Sequence, residues 1–547
     1  MIRVKAILAA VVVAAIMGLV PAQAATNVRF LGSGSSAMFQ QFTLAAYNSV
    51  CNAGNPGCTH WTAKNGSGVT AVLHEQRTAA GTIPDEGGTL SVVYGPSVVT
   101  SGDTDIWAYL TVDSVVGNRC FFAVPRCMIL LSNQAGANKV SATLFDDNSS
   151  DLASTLPANV FAALNGAATV TAAMTDIRPE DALFAQTRAV TALNATTYAG
   201  LGYGTGPATQ IGTQILGAAS ASNGAATPVC FHLTAKDCIN TSLTEPATTT
   251  IPVGAAPITF IVNRTAGGVL DGTQPHNINT ASAQRLFGGQ VCDASAIDII
   301  TTGGANGAVH VAFREPLSGT MNTTEFTLFR LKALPNNSQE LGVNPATANP
   351  VAALPCTKGG GDRTRAIGTG NEVGFVKATT DSIGYAFFSY GNVSSIAGNA
   401  NFGYLTLNGV DPIGTAGTVN QELPTCAGPC ALAPNTSFPN LRNGGYQAWS
   451  IYRVVTDKTG NNNTYATALA NAAQATINSK IPDFVPFKAQ VDGDKGLLVF
   501  RSHFTQNGAP HNGINTAAES GGDEGGCIEL KADELAIAPA EILNCKL

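Results

Sequence analysis

The sequence predicts an α/β protein whose two lobes are joined by two crossover strands. From residue 258 onward, apolar runs typical of strands alternate with helical patterns, and such alternation indicates a sheet covered by helices. Two continuous apolar runs, residues 258–263 and 449–455, have the character of strands that are buried on both faces. Because these runs bracket a compact α/β block, we expect them to be the two crossovers.

This organisation divides the chain into four segments. We expect a leader at residues 1–24, a first lobe at 25–258, a second lobe at 259–448, and a return strand with the C-terminal part of the first lobe at 449–547. Within the first lobe, the stretches at about 90–170 and 196–256 are interpreted as long, loop-rich insertions, the first of which carries several apolar β-like runs such as Ile129-Leu130-Leu131.

The composition excludes several classes of protein. Hydrophobic residues make up 45% of the 547 residues, so a sizeable core forms and general disorder is excluded. Charged residues are only 12%, and 58 Gly and 27 Pro indicate many turns. The net charge of −7, with 29 scattered Lys and Arg, argues against a nucleic-acid partner.

The amino terminus has the pattern of a secretory signal. Arg3 and Lys5 precede an apolar run at residues 6–20, and Ala22-Gln23-Ala24 supplies small residues for cleavage after Ala24. The run is shorter than the ~20 residues that span a bilayer, which disfavours a membrane anchor. No Cys stands at the cleavage position, so a lipid anchor is not indicated. We therefore expect a periplasmic or secreted protein that does not span the membrane.

The twelve cysteines support an exported protein, because an even number of them in such a chain predicts disulfides. Spacing leaves the connectivity open, although most cysteines have a near neighbour. The disulfide candidates are Cys51/Cys58, Cys120/Cys127, Cys230/Cys238, Cys426/Cys430 and Cys527/Cys545, with Cys292 and Cys356 left over. A metal site is disfavoured, since the chain has no C-x-x-C pair and its histidines do not lie at ligand spacing from the cysteines.

The clearest chemical signal is the sequence Arg314-Glu315-Pro316-Leu317-Ser318-Gly319-Thr320, which lies between a predicted strand and a predicted helix. Ser318 is expected to cap the helix, which leaves the amides of Gly319 and Thr320 free. Free amides, a hydroxyl and an arginine fork together bind tetrahedral oxyanions. The alternative is an ordinary capped helix with a surface arginine.

Two further segments could contribute to the same site. A short β run at residues 26–31 leads into the turn Gly32-Ser33-Gly34-Ser35-Ser36 and then a helical pattern, so this turn is a second helix start. Asp176 either caps a helix that begins at Arg178 or Pro179, or accepts a hydrogen bond from a protonated oxygen of a ligand.

Four blocks give the chain a resemblance to the PstS family of periplasmic phosphate-binding proteins. Arg314…Ser318-Gly319-Thr320 matches the R-x-x-x-S-G-T of that family in residues and spacing. Three other blocks are similar to the family's opening G-A-G-A-T turn, its S-D-x-P segment and its G-A-I-G-Y strand; they are residues 32–36, 175–179 and 381–385. The family's G-x-S-S-G turn is matched only loosely, at residues 65–68, and the chain from Gly68 to Asp176 is several times longer than in the family.

This resemblance implies the type 2 periplasmic binding protein fold, with inorganic phosphate bound in a cleft between the lobes. It implies no cofactor, no metal and no catalytic residue, and it makes an inner-membrane ABC permease a possible partner. The residues that it assigns to the phosphate are Ser35, Ser36, Ser67, Asp176, Arg314, Ser318, Gly319 and Thr320.

Other functions are left open by the sequence. The protein could bind a different oxyanion, although Asp176 disfavours sulfate because sulfate carries no proton at neutral pH. It could also be an exported structural or adhesive protein that keeps the fold without the ligand. An enzyme such as a phosphatase is disfavoured, since neither a metal cluster nor an activated nucleophile is apparent.

Overall fold

A computed structural model gives the structure of a large part of the chain. The described residues are 24–51, 57–63, 70–74, 76, 86–123, 125–134, 153–177, 248–271, 277–297, 307–315, 317–329, 354–414, 421–426, 437–477, 482–487, 496–497, 499–501 and 528–530. The predicted leader is therefore outside these residues except for Ala24. Within the described ranges, no helix is long and apolar enough to cross a membrane.

The fold is a mixed α/β arrangement of strands and short helices. The strands are β1 (Thr26–Gly34), β2 (Thr59–Ala63), β3 (Ala71–His74), β4 (Glu86–Gly88), β5 (Leu90–Pro96), β6 (Thr104–Thr111), β7 (Met128–Leu131), β8 (Ala172–Thr175), β9 (Thr248–Asn263), β10 (Asn277–Ile278), β11 (His310–Arg314), β12 (Leu354–Pro355), β13 (Asp362–Ala366), β14 (Ser382–Phe387), β15 (Phe402–Leu407), β16 (Trp449–Asp457), β17 (Val485–Pro486), β18 (Val499–Arg501) and β19 (Ile528–Leu530). The α-helices are Phe39–Ala45, Ser114–Phe122, Ala158–Leu164, Thr280–Phe287, Gly319–Thr324, Thr369–Ala378, Tyr390–Val393, Pro439–Arg442 and Asn461–Ile477. Short 3-10 helices (Ser36–Met38, Ala294–Ala296) and π-helices (Ala46–Cys51, Glu325–Phe329) adjoin or connect them.

One mixed sheet of 14 strands dominates the described structure. Its path runs in the order β12-β13-β11-β14-β9-β16-β8-β1-β6-β5-β2. On one side of this path, β1 lies parallel to both β6 and β8. On the other side, β11 lies parallel to both β13 and β14. Each parallel group therefore directs the carboxyl ends of its strands toward one edge, which is where ligand sites of α/β sheets form.

The strands β9 and β16 connect the two parallel groups. Over residues 248–257, β9 pairs antiparallel with β16, and β16 in turn pairs with β8. Over residues 258–262, β9 pairs instead with β14, and it also pairs with β15. The two continuous apolar runs predicted from the sequence thus form neighbouring strands, and almost all of their residues are buried.

The stretch at 90–170 contains more regular structure than the sequence suggests. It holds β5, β6, β7 and two helices, and β6 lies next to β1 in the main sheet. The loop-rich interpretation of this stretch is wrong, because large side chains on both faces of β6, such as Trp107 and Leu110, are buried in the core. In the second stretch, residues 196–247 lie outside the described residues, and Thr248 already begins β9.

Disulfides join two of the near-neighbour pairs and the two cysteines left over from them. Cys51 bonds to Cys58 and Cys120 bonds to Cys127, while the two remaining cysteines, Cys292 and Cys356, bond to each other across 64 positions. Cys426 is also disulfide-bonded. The other candidates lie outside the described residues; they are Cys230, Cys238, Cys430, Cys527 and Cys545.

The helix Ser114–Phe122 packs closely on the carboxyl end of β1, where the candidate site begins. Gly117 makes this approach possible, because a Cβ atom at this position would lie 2.4 Å from the carbonyl oxygen of Ser33 and 2.7 Å from the Cα of Gly34. Both of these atoms belong to the backbone, so neither can rotate away. A side chain at residue 117 therefore requires the helix to move off the strand.

We expect Gly117→Ala to lower the free energy of unfolding by about 1–3 kcal/mol, the usual cost of overpacking a tight core. Gly374→Ala is the matched control, since Gly374 is exposed within the helix Thr369–Ala378 and a Cβ there meets nothing within 4 Å. Replacing a helical glycine by alanine should raise the free energy of unfolding by about 0.5–1 kcal/mol. Urea unfolding of both variants measures the two effects, and a Gly117→Ala variant as stable as the native protein would contradict the close approach.

Candidate functional site

The predicted site residues lie at the carboxyl ends of parallel strands. Ser35 follows β1 directly and Asp176 follows β8 directly, while Arg314 is the last residue of β11. The Ser35 hydroxyl donates a hydrogen bond to Asp176 Oδ2 at 3.1 Å, although the two residues are 141 positions apart. Two of the predicted segments thus meet through their side chains.

Asp176 is buried and held by two hydroxyl groups. Ser114 donates a second hydrogen bond to it, on Oδ1. Burial raises the pKa of the Asp176 carboxyl above its ordinary value, while the hydrogen bonds from Ser114 and Ser35 and the charge of Arg314 oppose part of the rise. Asp176 therefore lies in a position where a ligand proton could be shared with it.

Asp176 also contacts the start of the helix Gly319–Thr324. A Cβ atom at Gly319 would lie 1.7 Å from Asp176 Oδ1, so only glycine leaves room for this carboxylate. As the sequence predicts, Ser318 caps the helix, with its Oγ accepting a hydrogen bond from the Met321 amide at 3.2 Å. Because helix starts favour negative charge, the Asp176 carboxylate occupies the place that suits an anion.

Arg314 is the centre of a buried polar network. Its side chain is 2% exposed, so the alternative of a surface arginine is wrong. Nε and Nη2 donate to the two carboxylate oxygens of Glu315 at 2.8 and 2.9 Å, and Nη2 also donates to Asp113 Oδ1 at 2.8 Å. Nη1 donates to the Thr369 hydroxyl at 2.7 Å.

The two carboxyl groups around Arg314 titrate in opposite directions. Burial alone would raise the pKa of Glu315, but the guanidinium of Arg314 overcomes burial and lowers it to about 2. Burial raises the pKa of Asp113 well above its ordinary value, and the neighbouring Glu315 charge raises it further. The Arg314 cation therefore favours the ionised form of Glu315, whereas the Glu315 charge disfavours ionisation of Asp113 beside it.

Ser36 connects the first helix start to this network. Its hydroxyl lies 3.3 Å from the Thr369 hydroxyl, across 333 positions of sequence. Thr369 is the first residue of the helix Thr369–Ala378, which follows β13. The predicted residues therefore form two groups: Ser35 with Asp176 and Gly319, and Ser36 with Arg314 through the Thr369 hydroxyl.

Four of the site's polar residues are missing from the sequence-based assignment: Asp113, Ser114, Glu315 and Thr369. Glu315 stands beside Arg314 in the motif itself, and Asp113-Ser114 has the composition of a helix start, so both carry a local signal.

The remaining predicted residues are Ser67 and Thr320. Ser67 lies outside the described residues. Thr320 is buried in the first turn after Ser318. The described residues contain no group of three or more His, Cys, Asp or Glu arranged to hold a metal ion.

Comparisons with known proteins give distant likenesses in structure. No protein-family model and no curated protein matches the chain. A high affinity periplasmic phosphate-binding protein (PfluDING), solved with bound phosphate, shares 13% identity over 83% of this chain and 90% of its own, with a TM-score of 0.34. A phosphate binding protein from Stenotrophomonas maltophilia shares 13% identity over 83% and 87%, with a TM-score of 0.32. An ABC-type phosphate transport receptor from Vibrio cholerae shares 13% identity over 42% and 68%, with a TM-score of 0.25.

Glu372 gives the site region a dependence on pH. Its Oε1 accepts the Tyr385 amide at 2.8 Å, and its Oε2 has no hydrogen-bond partner among the described residues. Burial raises its pKa to about 8. An unfolded glutamate loses its proton near pH 4.5, so between pH 4.5 and about 8 the folded state binds more protons than the unfolded state. This contribution to stability must therefore fall as the pH rises through that window and become constant above it.

We expect Glu372→Gln to remove this contribution. The free energy of unfolding of the native protein should fall relative to the variant by on the order of 3–5 kcal/mol between pH 5 and pH 9, because glutamine does not ionise. Urea unfolding at five pH values in this range measures the difference. Parallel stability curves for the two proteins would contradict the burial of an ionisable carboxyl at this position.

Proposed function

We propose that this protein binds inorganic phosphate, as hydrogen phosphate, in a cleft between two lobes that β9 and β16 connect. The observation that supports this most is the meeting of Ser35, Asp176, Arg314 and the Ser318-capped helix at the ends of parallel strands. Hydroxyls, amides and a guanidinium supply donors for the ionised oxygens, and the Asp176 carboxylate supplies the acceptor for the remaining proton.

The Ser318 hydroxyl is one donor for the ligand. Its oxygen accepts the Met321 amide, so its own hydroxyl hydrogen is left to donate. Gly319 and Thr320 follow it in the first turn, where helix amides have no partner within the helix. Together these groups form a set of neutral donors around one ligand oxygen.

Arg314 can donate a single hydrogen bond to the ligand and not a bidentate pair. The bonds to Glu315, Asp113 and Thr369 use the Nε hydrogen, both Nη2 hydrogens and one Nη1 hydrogen. One Nη1 hydrogen therefore remains for a ligand oxygen, beside the Thr369 hydroxyl. The carboxylates hold the guanidinium in place before the ligand arrives, which lowers the entropy cost of binding.

In the same proposal the protein is an exported, non-enzymatic substrate-binding protein that delivers phosphate to an ABC-type permease. The signal-like leader, with cleavage after Ala24, supports export.

A second candidate is an exported structural or adhesive protein that has lost the ligand. The observation that favours it is that the protein itself already satisfies many polar groups of the site. Glu315 and Asp113 accept most of the hydrogen bonds that Arg314 can donate, and Ser35 and Ser114 donate to Asp176.

Calorimetric titration of the processed protein, dialysed free of phosphate, distinguishes the two candidate functions. Saturable heat with phosphate at a ratio of one to one supports the proposal. A folded protein that gives no heat with phosphate between pH 6 and 8.5 supports the second candidate.

Asp176→Asn tests the selectivity of the site for a protonated anion. The carboxylate accepts the phosphate proton but places an unshared charge against sulfate, whereas asparagine can donate to either anion. We expect the ratio of phosphate to sulfate affinity to fall at least tenfold, about 1.4 kcal/mol. Competition titration of the two anions measures this ratio, and an unchanged ratio would remove Asp176 from the site.

Gly319→Ala tests the contact between Asp176 and the helix start. The added Cβ displaces the Asp176 carboxylate, because the two atoms would otherwise lie 1.7 Å apart. We expect phosphate affinity to fall at least tenfold, about 1.4 kcal/mol. Gly370→Ala is the matched control in the next helix start, where a Cβ meets nothing within 4 Å, and it should bind like the native protein. Equal affinities in all three proteins would contradict the assignment of this helix to the ligand.

A further inference from the structure

The hydrogen bonding of the described chain begins at Ala25, one residue after the predicted cleavage point. The Ala25 nitrogen donates to Asp103 Oδ1 at 2.8 Å, and the Ala25 carbonyl accepts the Thr104 amide at 2.8 Å. Pairing of β1 with β6 continues from there, starting with Thr26 opposite Thr104. Ala24 and Ala25 are both exposed.

Asp103 is held in position by the turn between β5 and β6. The Asp103 amide donates to the Thr100 carbonyl at 3.2 Å, and the Asp103 carbonyl accepts the Ser97 amide at 2.8 Å. Its second carboxylate oxygen accepts the side-chain amide of Asn27 at 3.2 Å. Oδ1 is thereby directed to the Ala25 nitrogen, while Oδ2 is fixed by the neighbouring strand.

The carboxylate of Asp103 lacks a cation in the described part of the chain. On the adjoining strands β1 and β6, Arg29 pairs with Asp105 at 2.7 Å, so the charge of this arginine is already compensated. A peptide nitrogen at Ala25 offers Asp103 one hydrogen and no charge. An α-ammonium at the same place offers three hydrogens and a positive charge.

We propose that Asp103 is the receptor for the new amino terminus that processing after Ala24 creates. Hydrolysis of the bond between Ala24 and Ala25 by a signal peptidase consumes one water, leaves a carboxylate on Ala24, and gives the Ala25 nitrogen the protons of an ammonium group. That ammonium stays within 2.8 Å of Asp103 Oδ1 and forms an ion pair that the precursor cannot form. Ala25 is thus both the first residue of the processed protein and the residue that fixes the start of β1.

The experiment measures the acid dissociation constant of the terminal amine in the full processed chain that begins with Ala25. The amine is labelled with ¹³C by reductive methylation and titrated by NMR in the native protein and in Asp103→Asn. Asparagine keeps the size and the acceptor oxygen of Asp103 but removes the charge. We expect the amine to lose its proton roughly two- to fivefold less readily in the native protein, as for an exposed ion pair.

Two controls define the result. Asp271→Asn changes the net charge equally on a segment that contacts Gly267 instead of Ala25, and its amine should titrate as in the native protein. A chain that begins with Ala24 moves the ammonium away from Asp103, so its amine should titrate as in Asp103→Asn.

If the terminal amine titrates at the same pH in the native protein and in Asp103→Asn, the proposal is overturned. A first residue other than Ala25 in the exported protein, found by amino-terminal sequencing, also overturns it. Neither outcome depends on phosphate binding.

Discussion

The buried charge of Arg314 is the constraint on which the site depends. A guanidinium that is 2% exposed is very costly unless partners surround it, so the chain must bring carboxylates and hydroxyls to it from distant segments. Glu315 is adjacent in sequence, but Asp113 is 201 positions away and Thr369 is 55 positions away. Compensating one cation therefore fixes the end of β11, the start of the helix after β6 and the start of the helix after β13 relative to one another.

The protein's own carboxylates occupy the places where an anion would bind. Asp176 lies against the start of the Ser318-capped helix, and Glu315 and Asp113 lie against the Arg314 fork. This arrangement holds the donors rigidly, which favours a ligand that fits the groups left over. The free energy of binding phosphate would then be the difference between the hydrogen bonds formed with the ligand and the hydrogen bonds of the network that the ligand replaces.

Disulfides and the contacts of the amino terminus hold the chain in place away from this buried network. A chain with only 12% charged residues has few ion pairs available, and it uses disulfides such as Cys292–Cys356 to close long excursions. At the amino terminus, Asp103 and Thr104 hold Ala25 where β1 begins. Because β1 is central in the sheet and leads directly to Ser35, the position of this strand determines where the first helix start of the site lies.

The sequence by itself determined the elements whose signal is local. The apolar runs that become β9 and β16, the Ser318 cap and the near-neighbour disulfides all follow from patterns within a few positions. The assignment of Ser35, Asp176, Arg314 and Gly319 to a phosphate site comes from the family resemblance and stays a prediction. The β-like runs at residues 90–131 were visible in the sequence, but their place in the main sheet was not, because strand pairing over long separations leaves no local signal. Only the tertiary structure decided that Ser114 holds Asp176 and that Asp113 and Thr369 hold Arg314. The physical reason is that these contacts join segments tens to hundreds of positions apart, and a hydroxyl or carboxyl carries no local sign of the partner that the folded sheet brings to it.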